Sequence, residues 1–226
     1  MMQHVKLVVF DLDGTILNTI SDLAHSANYA LKHCGFPVHS IDTYKFFVGN
    51  GINRLLERCL PENQKTEQNI ARLKDFLLSY YDAHNTDYTE PYNGVCDLLS
   101  TLQSEGLQLA IASNKPQSAT EKLIRHYFPD IIFAAVFGQR EGVPIKPDPT
   151  IVYNILEIAG VSPEETLYIG DSGVDMETAS NCGATSIGVT WGFRPRKELE
   201  NSGAHFIVDT TEEIIKIVGT ENIPHP

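Results

Sequence analysis

Two carboxylates close together at the end of an apolar run are the first sign of chemistry in this chain. Leu7-Val8-Val9-Phe10 runs into Asp11-Leu12-Asp13-Gly14-Thr15. Side chains alternate faces along a strand, so Asp11 and Asp13, two residues apart, can point the same way. Like charges placed together repel unless something holds them, and the usual holder is a divalent cation with oxygen ligands. Polar residues recur behind later apolar runs: Ser113 with Asn114, then Lys146, then Asp171 with Asp175. Carboxylates, a lysine and hydroxyl or amide donors are together what a hard cation and a phosphoryl group require. Taken singly, each has a structural explanation: a turn for Asp-x-Asp-Gly, a helix N-cap for Ser113-Asn114, a surface position for Lys146. Their order behind successive strands argues for one crevice, because open parallel sheets bind ligands at the carboxyl ends of their strands.

The elements that must position these residues fall into two groups. From about Ser21 to Cys34, the residues Leu23, Ala24, Ala27, Ala30 and Leu31 recur at helical spacing, and Gly35 with Pro37 ends the run. Ser40 is placed to cap a short helix leading to the turn Gly49-Asn50-Gly51, and Ile52, Leu55, Leu56 and Cys59 mark another, stopped by Pro61. A longer helix is predicted over about 66–82, with Ile70, Leu73, Phe76, Leu77 and Tyr80 on one face. The stretch from Ile16 to about Tyr88 therefore reads as helical, with no strand of its own. From Pro91 onward strands and helices alternate, the pattern of βα units on a parallel sheet. Strands are predicted at Leu107–Ala112, Ala134–Phe137, Thr166–Ile169, Thr185–Val189 and His205–Val208, with Asn93 capping the first intervening helix and a last helix from about Thr211. The opening strand, expected at Val5–Phe10, belongs by pattern with this later sheet. The expected fold is α/β, a Rossmann-like three-layer core with a central parallel sheet. Residues 1–16 and 89–226 are expected to form that core, and residues 17–88 an all-helical insertion after the first strand.

Composition narrows the function classes. The 226 residues are 42% hydrophobic and 20% charged, ordinary for a globular chain. Lys plus Arg number 17 against 29 Asp plus Glu, a net charge of -12, which argues against sequence-independent nucleic-acid binding. No apolar run is long enough to span a bilayer, and Met1-Met2-Gln3-His4 carries no signal-peptide layout. Cys34, Cys59, Cys96 and Cys182 are scattered, as expected of buried reduced thiols in a cytoplasmic protein. The eight histidines show no spacing for a soft metal.

Asp11-Leu12-Asp13-Gly14-Thr15, Ser113-Asn114, Lys146-Pro147-Asp148-Pro149 and Gly170-Asp171-Ser172-x-x-Asp175, in that order, resemble the haloacid-dehalogenase-like hydrolase superfamily over nearly the whole chain. The helical insertion looks like that superfamily's cap. Val48-Gly49-Asn50-Gly51 and Trp191-Gly192-Phe193 look like its phosphoglycolate phosphatase branch. The resemblance implies a Mg2+-dependent phosphatase acting on a small phosphorylated metabolite through an aspartyl-phosphate. Asp11 would be the nucleophile, and Asp13 the acid and base. Asp11, the main-chain carbonyl of Asp13, and Asp171 would bind Mg2+, and Asp175 would act through water or by orienting Lys146. Thr15, Ser113, Asn114 through its N–H, and Lys146 would hold the phosphate. Asn50 and Arg54, beside the cap turn, are candidates for contacting substrate. Asn18 stands where the family often has Asp. A β-phosphoglucomutase-like enzyme is a rival, but there the motifs read Asp-Gly-Val and Glu-Asp, against Gly14-Thr15 and Gly170-Asp171 here. A pyrophosphatase of the same branch is a second rival, and an idle binding protein is disfavoured because every chemical position is filled. The expected assembly is a monomer or homodimer, with no nucleic acid or membrane partner.

Overall fold

The opening apolar run forms strand β1 (Leu7–Phe10), buried along its whole length as a strand covered on both faces must be. The computed structural model describes residues 5–221, so Met1–His4 lie outside it. After a turn come β2 (Leu17–Asn18) and four helices: α1 (Ile20–Cys34), α2 (Ile41–Phe47), α3 (Gly51–Cys59) and α4 (Glu67–His84). β3 (Glu90–Pro91) returns antiparallel to β2, and then α5 (Val95–Ser104), β4 (Gln108–Pro116), α6 (Gln117–Tyr127), β5 (Phe133–Gln139) and α7 (Thr150–Ala159) follow. The chain closes with β6 (Thr166–Gly170), α8 (Gly173–Cys182), β7 (Thr185–Val189), α9 (Arg196–Asn201), β8 (Phe206–Val208) and α10 (Thr211–Glu221).

Among the described residues the main sheet has six strands, all parallel, in the order β5-β4-β1-β6-β7-β8. Alternation along β1 divides the core: Val8 and Phe10 join the apolar cluster under α5, α6 and α10, while Leu7 and Val9 join the cluster under α7 and α8. These are the three layers expected of the core. The register sets the site. Phe10 pairs with Ile111 of β4 and with Ile169 of β6, so Asp11, Ser113 and Asp171 emerge at one edge of the sheet.

The helices α1 to α4 pack around a cluster of their own. Leu23, Ala24, Ala27, Ala30 and Leu31, the stripe predicted for α1, are all buried in it. On α4 the buried positions are Leu73, Leu77 and Tyr81, so Tyr81 takes the place expected of Tyr80. Tyr80 instead stacks on Tyr29 and His84. The insertion is not free of strands either, since the β2–β3 ribbon ties its two ends together, pairing Leu17 with Pro91 and Asn18 with Glu90.

Other expectations shift by small amounts. The residue preceding α5 is Gly94, not Asn93. β4 continues to Pro116, so Ser113, Asn114 and Lys115 lie inside a strand rather than behind it. The helix α9 has a single buried residue, Leu199, and no apolar periodicity to announce it. Cys96 is exposed, unlike the buried thiol expected there. No helix among the described residues is long and apolar enough to cross a membrane.

Candidate active site

Asp11 is the first residue beyond β1, and its N–H donates to the Ile169 carbonyl at 2.9 Å, extending the ladder with β6. Its Oδ1 accepts from Lys146 Nζ at 2.8 Å. Lys146 also donates to Asp175 Oδ1 at 2.7 Å and to the Ala112 carbonyl at 2.9 Å, with the Tyr168 hydroxyl at 3.0 Å. The ammonium's three protons are thus committed inside the protein, as burial demands. Asn114 fixes this lysine from its main chain: Oδ1 accepts from Lys146 N–H at 2.8 Å, and Nδ2 donates to the Lys146 carbonyl at 3.1 Å and to the Gly49 carbonyl at 3.0 Å. The Ser113 hydroxyl is buried beside them.

Asp175 sits in the first turn of α8, where its Oδ2 accepts from Ser172 N–H and from Ser172 Oγ, closing a capping box. Asp171, four residues earlier, is held by the Phe193 N–H on Oδ2 at 2.7 Å, with the Thr15 hydroxyl 3.4 Å from Oδ1. Two glycines make room for it. Gly14 has φ +90, and a Cβ there would lie 2.4 Å from Asp171 Oδ2. A Cβ on Gly192 would lie 2.2 Å from the Cβ of Asp171.

Asp11, Asp171 and Asp175 each offer an oxygen within 4.8 Å of the others, and all three residues are buried. Burial pushes Asp11 up to about 7, with Asp175 and Asp13 adding to the rise and Lys146 opposing it. Burial also raises Asp171 well above the carboxylate range, reinforced by Asp175 and Asp11 and countered by the Phe193 N–H and by Arg194. Burial works against the Lys146 charge, but Asp11 and Asp175 outweigh it and hold the ammonium well above its ordinary value. Ionised together, three carboxylates would outnumber one ammonium in a dry place, which is why burial and mutual repulsion raise Asp11 and Asp171 and why a cation would relieve them. The donors are all hard oxygens, a set that fits a divalent cation.

Asp13 faces a second lysine. Lys115 Nζ donates to its two oxygens at 2.9 and 3.0 Å, and the Thr19 hydroxyl adds a bond of 2.6 Å. Burial opposes the Lys115 charge, yet Asp13 and Tyr81 raise its basicity above normal. The ammonium lies 4.7 Å from the Tyr81 ring centroid, so a residue of α4 closes over the pair. Sequence reasoning gave neither Lys115 nor Tyr81 a role. The only signals were a lysine directly after Ser113-Asn114 and the i, i+4 series Leu73-Leu77-Tyr81.

These groups floor a cavity of about 60 Å³ whose roof is apolar: Leu23 of α1, Ile52 and Leu55 of α3, Leu77 and Leu78 of α4. At about 10–15 Å³ per water, that space holds on the order of five waters. Among the predicted site residues, Asp11, Asp13, Ser113, Asn114, Lys146, Asp171 and Asp175 line it.

Three candidates do not. Thr15 is buried beneath, with its hydroxyl 3.4 Å from Asp171 Oδ1. Arg54 is mostly exposed and pairs with Glu57 at 2.6 Å. Two residues along a helix is about 200° around its axis, so turning Ile52 inward turns Arg54 out. Asn50 accepts from Arg58 at 2.8 Å and is likewise absent from the lining. Asn18 lies in the β2–β3 ribbon, paired in register with Glu90.

A family model described as haloacid dehalogenase-like hydrolase matches residues 8–189. A phosphoglycolate phosphatase of Thiobacillus denitrificans is 34% identical over 87% of this chain and 89% of its own. One from Mannheimia succiniciproducens is 30% identical over 96% of this chain and 100% of its own. A crystal structure from Lactobacillus delbrueckii subsp. bulgaricus, provisionally described as a phosphoglycolate phosphatase, superimposes with a TM-score of 0.90 at 31% identity, covering 96% of this chain and 99% of that one.

Proposed function

The chain belongs to the haloacid dehalogenase-like hydrolase family, and from that premise we propose a Mg2+-dependent phosphatase that hydrolyses a small phosphomonoester of the phosphoglycolate kind. The observation that carries the reading is the buried cluster of Asp11, Asp171 and Asp175 with Lys146 bonded into it, beneath a small apolar roof. Asp11, Asp171 and the main-chain carbonyl of Asp13 would hold the cation, while Asp175 spends both oxygens on orienting Lys146 and on its own helix cap. When bound, the cation draws charge from the phosphoryl oxygens and steadies them beside Asp11.

Asp11 attacks phosphorus, forming an aspartyl-phosphate as the ester P–O bond breaks. Asp13, anchored by Lys115 and Thr19, gives its proton to the leaving oxygen and later takes one from the water that hydrolyses the intermediate. Lys146, Ser113 and the Asn114 N–H neutralise charge building on the transferring group. The inserted helices, as a cap, keep bulk water from the intermediate. The free cysteines support a reducing, cytoplasmic setting, where the enzyme works as a monomer or homodimer.

The test is release of inorganic phosphate from phosphoglycolate, from other phosphorylated metabolites and from an aryl phosphate, with Mg2+ or with chelator. Release is expected with Mg2+ only, ranked in favour of the smallest esters by kcat/KM. Asp11→Asn should lower kcat by about 10⁴-fold or more while the circular dichroism spectrum stays unchanged. Turnover at the wild-type rate by that variant, or undiminished turnover in chelator, would sink the reading.

A further inference from the structure

The segment Trp191–Arg194, which follows β7, touches both halves of the active site within four residues. The Trp191 indole donates to the Thr15 carbonyl at 3.0 Å. Gly192 presses its backbone against Asp171, and the Phe193 N–H bonds that carboxylate directly. Yet the Phe193 ring is buried in the apolar cluster of the inserted helices, with Leu23, Val48 and Leu55 among its members. Arg194 goes further the same way. Its guanidinium donates to the carbonyls of Lys45, Phe46 and Val48, at the C-terminal end of α2 where helix carbonyls lack intrahelical partners. Its Nε lies 3.4 Å from Glu198 Oε1, which also accepts from the Gly173 N–H at 3.0 Å, two residues beyond Asp171.

We propose that Phe193 and Arg194 are positioning residues that couple the seating of the helical cap to the placement of Asp171, so that the cap's hold on this segment sets the affinity for the divalent cation. The inference rests on the metal reading given above. Phe193 is the hinge of the argument, since one residue supplies both the N–H on Asp171 and a ring buried among the cap helices. If the cap lifts, the ring must either follow it, drawing the N–H away from Asp171, or enter water. Coupling of this kind is reciprocal in free energy, so bound cation also favours the seated cap.

The test is titration of the whole, substrate-free protein with Mg2+ alone, followed by calorimetry and by fluorescence of Trp191, the single tryptophan. Arg194→Met and Arg194→Lys separate coupling from simple charge. Arg194 lines the same cavity as Asp171, so its positive charge repels a cation bound there. Removing its charge alone would therefore let Mg2+ bind more tightly, and keeping the charge in lysine would leave affinity alone. Coupling makes the opposite prediction: both variants weaken Mg2+ binding by about 5-fold or more, because an ammonium cannot span several carbonyls as the planar fork does. Phe193→Ala should weaken binding similarly, and Phe193→Leu, which keeps an apolar anchor, should stay within about 2-fold of wild type. Unchanged or tighter binding in both Arg194 variants would overturn the coupling while leaving the phosphatase reading intact. Absence of saturable Mg2+ binding in the wild type would overturn both. Neither readout depends on turnover.

Discussion

At the scale of single residues, the site is a balance of buried charges in which Lys146 has the central place. Its side chain is 2% exposed and lies between Asp11 and Asp175. Breaking such a pair costs more than the pair itself is worth, because it leaves carboxylates in a dry site without their counter-charge. Lys146→Met should therefore lower the unfolding free energy of the metal-free protein by about 3–5 kcal/mol, read as a shift of the urea midpoint at constant slope. A shift under about 1 kcal/mol would mean that the lysine contributes little beyond a surface pair. That Asp11, Asp13 and Asp171 lie beside one crevice could be read from the sequence because each follows an apolar strand run, and Lys146 could be added because it lies beyond another such run. Lys115 and Tyr81 could not, since they meet each other across the junction of the sheet and the inserted helices, a contact that no local pattern encodes. Arg54, a candidate beside the cap turn, lies outside the lining for a related reason. Nearness to a turn in sequence says nothing of which side of a helix faces the cavity.

At the scale of elements, the two chain crossings between sheet and helices are held by one carboxylate. Asp22, 2% exposed in the first turn of α1, accepts from the N–H groups of Tyr88 and Thr89 and from the Thr89 hydroxyl. The Thr89 carbonyl in turn accepts from the Tyr127 hydroxyl of α6 at 2.7 Å. Asp22→Asn keeps the shape but replaces one acceptor oxygen by a donor, so three donors compete for the one that remains. We expect a loss of about 1.5–3 kcal/mol in urea unfolding, with catalytic groups untouched. A neutral result would show that water replaces the lost acceptor. Long elements were legible here because periodicity accumulates: the α1 stripe was placed within a residue and the run of β1 within two. The two-residue strands β2 and β3 were not, having no length over which a period could show, and the polar α9 left no pattern beyond Leu199.

At the scale of the whole molecule, the order of strands and helices was readable because βα alternation constrains topology tightly. What the sequence could not supply was how the roof closes over the floor, since that depends on packing between segments 60 or more residues apart, such as Asn114 with Gly49 and Arg194 with Val48. The β2–β3 ribbon carries one more consequence. Asn18 and Glu90 are already antiparallel partners, the geometry that a two-residue turn closes in a hairpin. Splicing Asn-Gly between them would remove 71 residues, 19 to 89, without altering the path of the chain through the sheet. Such a shortened protein should keep the circular dichroism of a parallel α/β core, and loss of that spectrum would count against an independent core. The substrate roof would then be an exchangeable part, and another helical roof grafted between the same two residues would redirect the same chemistry to a different ester.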